Sequence, residues 1–378
     1  MPTNRDVKRS MEMCESTTPG SRPCSTNRQD ETPLQASLRP EDVRPSTAQA
    51  VALVAGGLDG YLAVRVLQQQ QVQVTALHVR MPCQREGGHL ERMCDRLKVS
   101  LTVRNADEPF VEILRRPRFG YGRGMNPCLD CRVQLFAEAR HYMDEVGADF
   151  VISGEVLGQR SWGQKRRDLA AIAHHSGLGG RLLRPLSAQL LAPSNPELDG
   201  LVDRDRLHAF RGQARRPLLE LARELGFGEC DLNETRAANC PFAEADLATR
   251  TRDLLDQATK ITGWRVRLLR IGRHIRYDAR TNLVVGRHAS ECETLERLHR
   301  EANLREATLL RPANFPGPTA LLVGEATDEA IAFALATITR YSKVPPYSEP
   351  RVHLRRAGSK TTRTACRSAD LAETAQHQ

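Results

Sequence analysis

An α/β fold is what this 378-residue sequence predicts: a doubly wound, mostly parallel sheet followed by a smaller C-terminal α+β domain. Two observations predict it. From residue 50 to about 227, apolar runs of strand length alternate with stretches of helical periodicity, a rhythm that places helices on both faces of a parallel sheet. Beyond residue 262 the alternation stops, and a hairpin pattern, a helix, a strand and a helix follow closely on one another.

The elements follow in order. Residues 50–56 (AVALVAG) read as a buried strand, and 61–70 as a helix with Leu62, Val66 and Leu67 on one face. Residues 72–80 form a second strand, 89–99 a helix and 100–106 a third strand. After a Gly- and Arg-rich loop (RFGYGRGMNPC), residues 131–146 form a helix with Phe136, Met143 and Val146 facing inward. Residues 148–155 and 181–187 give the fourth and fifth strands, and 215–227 an amphipathic helix. Residues 48–235 thus make one domain and 236–262 a connection. In the C-terminal module, 263–355, WRVRLLRIGRHIRYD and TNLVVGRHAS make a hairpin, ECETLERLHREA a helix, TALLVGE a strand and DEAIAFALATITRYS the last helix. Residues 1–47 and 356–378 are rich in Ser, Thr, Pro and Arg and poor in core formers, so they read as a disordered arm and tail.

Composition narrows the function. No apolar run is long enough to span a bilayer, and the N-terminus lacks the apolar core of a secretory signal. Ten cysteines without an export signal point to a reducing cytoplasm, where they serve as thiols, ligands or catalysts. The net charge is +9, from 55 basic residues of which only six are lysine. Such an arginine excess suits an anionic partner, and codon preference would produce it equally well. Aromatic residues make up only 4%, which argues against a stacking platform for single-stranded bases and for shape and backbone recognition of a folded RNA.

In parallel sheets of this kind ligands sit outside the carboxyl ends of the strands. Three features fall there: the turn from Ala55 through Gly56, Gly57 and Asp59 to Gly60, then His78, and then Gly154 with Glu155. A strand, glycine turn and helix start can cradle phosphate with backbone N–H groups alone, and Asp59 adds an acid for Mg²⁺ or for the helix dipole. Further on, NPCLDC opens a helix, where a thiol acquires a lowered pKa. Cys128 and Cys131 share the one C-x-x-C, and Cys240 or Cys230 would supply a third sulfur. That set is a redox pair, three ligands of an iron–sulfur cluster, or a group of buried free thiols. Arg160, Lys165, Arg166, Arg167, Arg184, Arg211, Arg215 and Arg216 are candidates to meet RNA or triphosphate. In the C-terminal module, Arg273-His274 and Arg287-His288 repeat a GRH triplet on neighbouring strands, a pattern suited to phosphate positioning.

The order strand–GGLD–helix, LHV closing the second strand, NPCxxC opening a helix and GEVLGQ after the fourth strand resembles the PP-loop ATP pyrophosphatases that thiolate tRNA, of the 2-thiouridine and 4-thiouridine synthetase-like group. LRPLSAQLLAP and the IGRH…VVGRH…GPTALLVGE…RYS tail resemble a subfamily fused to an NFACT-R-like RNA-contacting module. The resemblance covers about residues 50–350. It implies that ATP adenylates a uridine carbonyl oxygen and that sulfur, from a donor protein or sulfide, then displaces AMP. It implies ATP and Mg²⁺ at Ala55, Gly56, Gly57, Asp59, Gly60, Gly154 and Glu155, with adenine near His78. It places sulfur on Cys128, Cys131 and Cys240, as persulfide or on a 4Fe–4S iron–sulfur cluster, and tRNA on Arg160, Lys165, Arg167, Arg184, Arg273, His274, Arg287 and His288. The chain departs from the family loop SGGxDS, since Ala55 and Gly60 stand where serines would be. Two hydroxyl hydrogen bonds to phosphate are absent, each about 1.5–3 kcal/mol to a charged oxygen. A fourth cysteine expected soon after Cys240-Pro241 is also absent. The alternatives are a catalytically silent RNA- and nucleotide-binding paralogue, and a PP-loop ligase that adenylates a small carboxylate.

Overall fold

The structure is a computed structural model and describes residues 48–82, 88–160, 162–234, 240–257, 261–302, 307–345, 348–358 and 363–366. The expected N-terminal arm lies outside the described residues.

The first sheet is built from β1 (Gln49–Leu53), α1 (Leu58–Gln68), β2 (Gln73–Arg80), α2 (His89–Leu97), β3 (Leu101–Asn105), α3 (Asp107–Arg115), α4 (Cys128–Val146), β4 (Phe150–Ser153), α5 (Arg166–His175) and β5 (Leu182–Leu183). Four further helices follow: α6 (Asn195–Leu198), α7 (Arg216–Glu224), α8 (Glu229–Glu234) and α9 (Ala245–Gln257). All five strands are parallel, in the order β3-β2-β1-β4-β5. Successive residues of β1 point to opposite faces. Ala50 and Ala52 pack with Leu62, Leu67, Leu90 and Leu218 of α1, α2 and α7. Val51 packs with Phe110, Phe136, Met143 and Ile172 of α3, α4 and α5. Both faces are covered, which is why the strands read as unbroken apolar runs.

The strand order reverses direction between β1 and β4, so the ligand crevice of such a sheet opens outside the ends of these two strands. Gly154 brings their loops together. A Cβ there would lie 2.2 Å from the backbone carbon of Asp59 and 2.3 Å from the nitrogen of Gly60, so only glycine lets the end of β4 approach the first turn of α1.

The second sheet is antiparallel. It is preceded by α10 (Gly263–Leu268) and comprises β6 (Arg273–Arg276), β7 (Asn282–Val285), α11 (Ala289–Glu301), β8 (Ala307–Pro312), β9 (Ala320–Val323), α12 (Asp328–Arg340), β10 (Arg351–Arg356) and β11 (Arg363–Cys366). Its strand order is β11-β10-β8-β9-β7-β6.

Several elements differ from the sequence reading. The WRVRLL stretch, expected as a hairpin strand, is helix α10. Thr262 caps it, its Oγ1 accepting from the Arg265 amide at 3.4 Å, and the Trp264 indole donates to the Leu298 carbonyl at 2.8 Å. Trp264, Val266 and Leu268 alternate as in a strand, but the cap and the docking of the indole favour the helical turn. Helix α4 begins at Cys128 rather than Cys131, and Asp130 in its first turn holds the preceding loop by accepting from the Arg118 and Phe119 amides at 2.9 and 3.0 Å. Helix α3 and strand β8 occupy stretches that the sequence reading leaves unassigned. The expected tail carries the end of β10 and all of β11, paired from Arg351↔Cys366 to Leu354↔Arg363. Among the described residues, no helix is long and apolar enough to cross a membrane.

Candidate functional site

The turn after β1 is shaped by Gly56, whose φ of +81° is one that side chains rarely adopt. Behind it, the His89 Nε2–H donates to the Gly56 carbonyl at 2.9 Å, and a Cβ on Gly56 would meet that ring nitrogen at 2.6 Å. Ala55 is exposed and Gly57 half-buried at the N-cap of α1, with no side chain capping the helix. The Gly60 amide bonds back to the Gly57 carbonyl at 3.2 Å and no side chain caps the helix, so what the turn offers an anion in place of the missing hydroxyls is the backbone at the very start of α1.

Asp59 sits in that first turn and accepts from the Gln159 side chain at 2.8 Å, a bond that spans the crevice from the α1 loop to the β4 loop. Burial raises its pKa, while the Gln159 bond and the charges of Arg215 and Arg160 oppose the rise. His78 closes β2 and donates from Nδ1 to the Val54 carbonyl at 2.9 Å, and burial lowers its pKa. It is a neutral wall residue whose tautomer this bond sets.

Cys128 begins α4, and burial does not keep its thiol neutral. A hydrogen bond from Cys240 above all, then one from the Asn126 side chain at 3.1 Å and the charges of Arg132 and Arg160, bring it down to about 6. Cys240 is correspondingly pushed well above the usual thiol range by that bond, by burial and by the adjacent thiolate. Cys128, with the helix start, the Asn126 side-chain amide and Arg132 on its side, is the better placed of the two to carry the negative charge. Asn126 is itself fixed, accepting from the Gly124 amide at 3.0 Å. The segment after Cys240 is docked on the same loop, where the Met125 amide donates to the Phe242 carbonyl at 3.0 Å and the Phe242 and Phe110 rings lie 5.2 Å apart.

The third cysteine behaves differently. Burial and the neighbouring thiolate push Cys131 up to about 12. Among the described residues, no group of three or more His, Cys, Asp or Glu is arranged to hold a metal ion. Nothing in this arrangement supports the iron–sulfur cluster expected on the three thiols.

Glu155, expected at the nucleotide, is a buried hub instead. It accepts a hydrogen bond from Arg184 Nε at 2.7 Å, and its other oxygen lies 3.0 Å from Arg132 Nη1 as an ion pair. Arg184, expected at an RNA surface, is buried with it and also donates to the Leu169 carbonyl at 3.1 Å, so it cannot reach an external phosphate. The packing of α5 and β5 over the end of β4 turns both residues inward. Arg160, Lys165 and Arg167 are exposed on the loop after β4 and the start of α5.

In the C-terminal sheet, the two GRH triplets meet at one end of the β6–β7 hairpin, with Arg273 opposite Val285. Arg273 is exposed and its guanidinium lies over the Tyr341 ring, 4.8 Å from the centroid. His288 is exposed, its Nδ1 2.9 Å from the Ser290 hydroxyl. The other two are occupied. The His274 Nε2 faces the Leu268 and Ile271 carbonyls at 3.2 and 3.1 Å, and burial and the charge of Arg250 hold its pKa at about 4. Arg287 grips Glu291 through Nε, at 3.0 Å, and through its backbone amide at 2.8 Å. Against its burial, Glu291 is held at about 2 by these bonds and by the Gly272 amide. His274 and Arg287 therefore bond within the fold.

Three contributors escaped the sequence reading, although each lies within or beside a motif it quotes. Asn126 lies in NPC, Gln159 ends GEVLGQ, and Arg132 stands four residues after Cys128, on the same helix face.

With this geometry in place, comparison with known proteins gives four matches. Residues 272–377 match the family described as NFACT protein RNA binding domain. A tRNA-specific 2-thiouridylase MnmA from Desulfosudis oleivorans is 28% identical over 128 residues, covering 32% of this chain and 36% of the relative. A protein of the same description from Nitratidesulfovibrio vulgaris (strain DP4) is 35% identical over 127 residues, covering 30% and 36%. The chain thus spans about a third of the length of these curated relatives. A 4-thiouridine synthetase–RNA complex with bound ATP aligns with a TM-score of 0.30 at 15% identity, over 50% of this chain and 53% of that one.

Proposed function

We propose that this chain is an ATP-dependent tRNA thiolation protein of the PP-loop type, with Cys128 as its sulfur carrier. The observation that carries the reading is the loop after β4. Its Gln159 donates to Asp59 at 2.8 Å, and Arg132, four residues after Cys128 on α4, lies 3.0 Å from Glu155 and donates to the Gly163 carbonyl, so one loop links the glycine turn to the helix that carries the thiol. The partial similarity to 2-thiouridylases and the RNA-binding-domain match at 272–377 support a tRNA substrate.

ATP would place its phosphates against the backbone at the start of α1, with Asp59 as the acid that would hold Mg²⁺. A uridine carbonyl oxygen attacks the α-phosphate and pyrophosphate leaves, giving an O-adenylated base. The Cys128 thiolate takes a sulfur atom from an external persulfide donor, whose own cysteine leaves as thiolate, to form Cys128–S–S⁻. The terminal sulfur attacks the activated carbon, and AMP departs with the C–O bonding pair. A disulfide then links the base to Cys128. With the charge on Cys128 gone, ionisation of Cys240 is no longer opposed by its neighbour. The Cys240 thiolate attacks the Cys128 sulfur, releasing the thiolated base and leaving a Cys128–Cys240 disulfide, which an external dithiol reduces.

The test uses anaerobically purified protein with ATP, Mg²⁺, bulk tRNA and a persulfide donor. AMP release that requires tRNA and disappears in Asp59→Ala is the expected result, with thiolated nucleoside detected by mass spectrometry. No AMP from protein that still binds tRNA and ATP would overturn it in favour of a silent RNA- and nucleotide-binding paralogue. Ala55 and Gly60, which lack the loop hydroxyls, are the feature that favours that second reading.

A further inference from the structure

One exposed ring beside the mouth has no part in the chemistry above. The chain has two tryptophans. Trp264 is buried and its N–H is satisfied by a carbonyl. Trp162, on the loop between β4 and α5, leaves 44% of its surface in water. A tryptophan ring left this open offers a broad apolar face, with a polar N–H at its edge, to whatever meets the loop.

The loop that carries it is anchored. The Gly158 amide donates to the Gln164 carbonyl at 2.7 Å, the Gly212 amide to the Leu157 carbonyl at 2.8 Å, and the Gly163 amide to the Asp168 carboxylate at 3.1 Å. Two further links tie it to the candidate site. Arg132, one turn beyond Cys128 on α4, donates to the carbonyl of Gly163, the residue after Trp162. Gln159, three residues before Trp162, donates to the Asp59 carboxylate at 2.8 Å. The loop that carries Trp162 is thus tied to α4 on one side and to the glycine turn on the other. An exposed indole beside an exposed guanidinium matches the chemistry of a nucleotide, a planar π-face joined to a phosphate.

We infer that Trp162 is a positioning residue: a nucleobase of the RNA substrate stacks on its ring as the target uridine enters towards Cys128, while Arg160 meets the adjoining phosphate. This rests on the tRNA-thiolation reading and adds to it the way in which the RNA is held. Chemistry on a base requires its removal from the surrounding stack, and an aromatic ring at the mouth replaces part of the stacking lost. Because every base has a π-face, this contact tolerates sequence; it sets the position of the strand rather than its identity.

The test follows intrinsic tryptophan emission of the full chain during titration with bulk tRNA, together with tRNA and ATP affinities of Trp162→Ala and Trp162→Phe. The expected result is quenching by tRNA in the parent and none in either variant, where only buried Trp264 emits. Trp162→Ala should bind tRNA about fivefold or more weakly, with ATP affinity and melting temperature unchanged. Trp162→Phe, which keeps a π-face, should restore most of the loss. If the parent binds tRNA and Trp162→Ala binds it equally well, this inference fails and the proposed function stands. Quenching by ATP alone, with weakened ATP binding in Trp162→Ala, would assign the ring to adenine and also overturn it. A parent that binds no tRNA removes both proposals together.

Discussion

Replacing Cys240 with alanine tests whether the Cys128 thiolate is made by its neighbour. The ordinary thiol value of 9.0 is lowered here to about 6, and the hydrogen bond from Cys240 is the largest cause. At pH 7 a thiol with a pKa of 6 is about 90% ionised, whereas one at 9 is about 1% ionised, so the whole effect is worth roughly ninetyfold in reactive species. Cys240→Ala removes the largest contribution but leaves Asn126, Arg132 and Arg160 in place. It should therefore move the midpoint upward and cost about tenfold in thiolate at pH 7. The assay is the pH dependence of iodoacetamide labelling at Cys128, read peptide by peptide by mass spectrometry because the chain has ten cysteines. The midpoint is the readout, since intrinsic nucleophilicity itself falls with pKa and distorts plateau rates. Cys240→Ser keeps a donor and should lie between the two. A parent midpoint near 9, or superimposable profiles for parent and Cys240→Ala, would refute the assignment of carrier and donor.

Three further outcomes are expected. Arg184→Ala leaves Glu155 buried with only Arg132 beside it, and should destabilise the protein by about 3 kcal/mol in urea unfolding, whereas the double variant Arg184→Met/Glu155→Gln should recover much of that loss. Asp59→Asn should leave stability unchanged or raise it, because burial lifts this carboxyl's pKa in the folded state: the native protein then holds more protons than the unfolded chain, and ionisation at neutral pH works against folding. The same variant should lose Mg²⁺-dependent ATP binding by calorimetry, and retention of that binding would remove Asp59 from the metal site. His274 has the opposite dependence: its pKa falls from 6.5 to about 4 on folding, so its contribution is fully present above pH 6.5 and is lost as the pH falls towards 4. Thermal melts across that window should steepen in the parent and flatten in His274→Gln if the ring is held neutral as described.

Alternating strand and helix periods in residues 50 to 227 were enough to identify a doubly wound sheet, because a strand buried on both faces must be apolar throughout and a covering helix must carry one apolar stripe. The same local rules located the glycine turn and the thiol at a helix start, both of which depend on the few residues around them. They failed where local pattern and tertiary contact disagree. Trp264, Val266 and Leu268 alternate like a strand, yet a cap at Thr262 and an indole bond to Leu298 make them a helix. Sequence could nominate basic residues for RNA but could not say which way they point, since charge along a chain carries no direction. Only the fold turned Arg184 inward to Glu155, engaged Arg287 with Glu291 and brought Gln159 across to Asp59. The pairing of Cys128 with Cys240 likewise joins residues more than a hundred positions apart, a contact created by packing the 240–243 turn onto the loop before α4. Local sequence decided which groups were available; the three-dimensional packing decided which were buried, which were charged and which met.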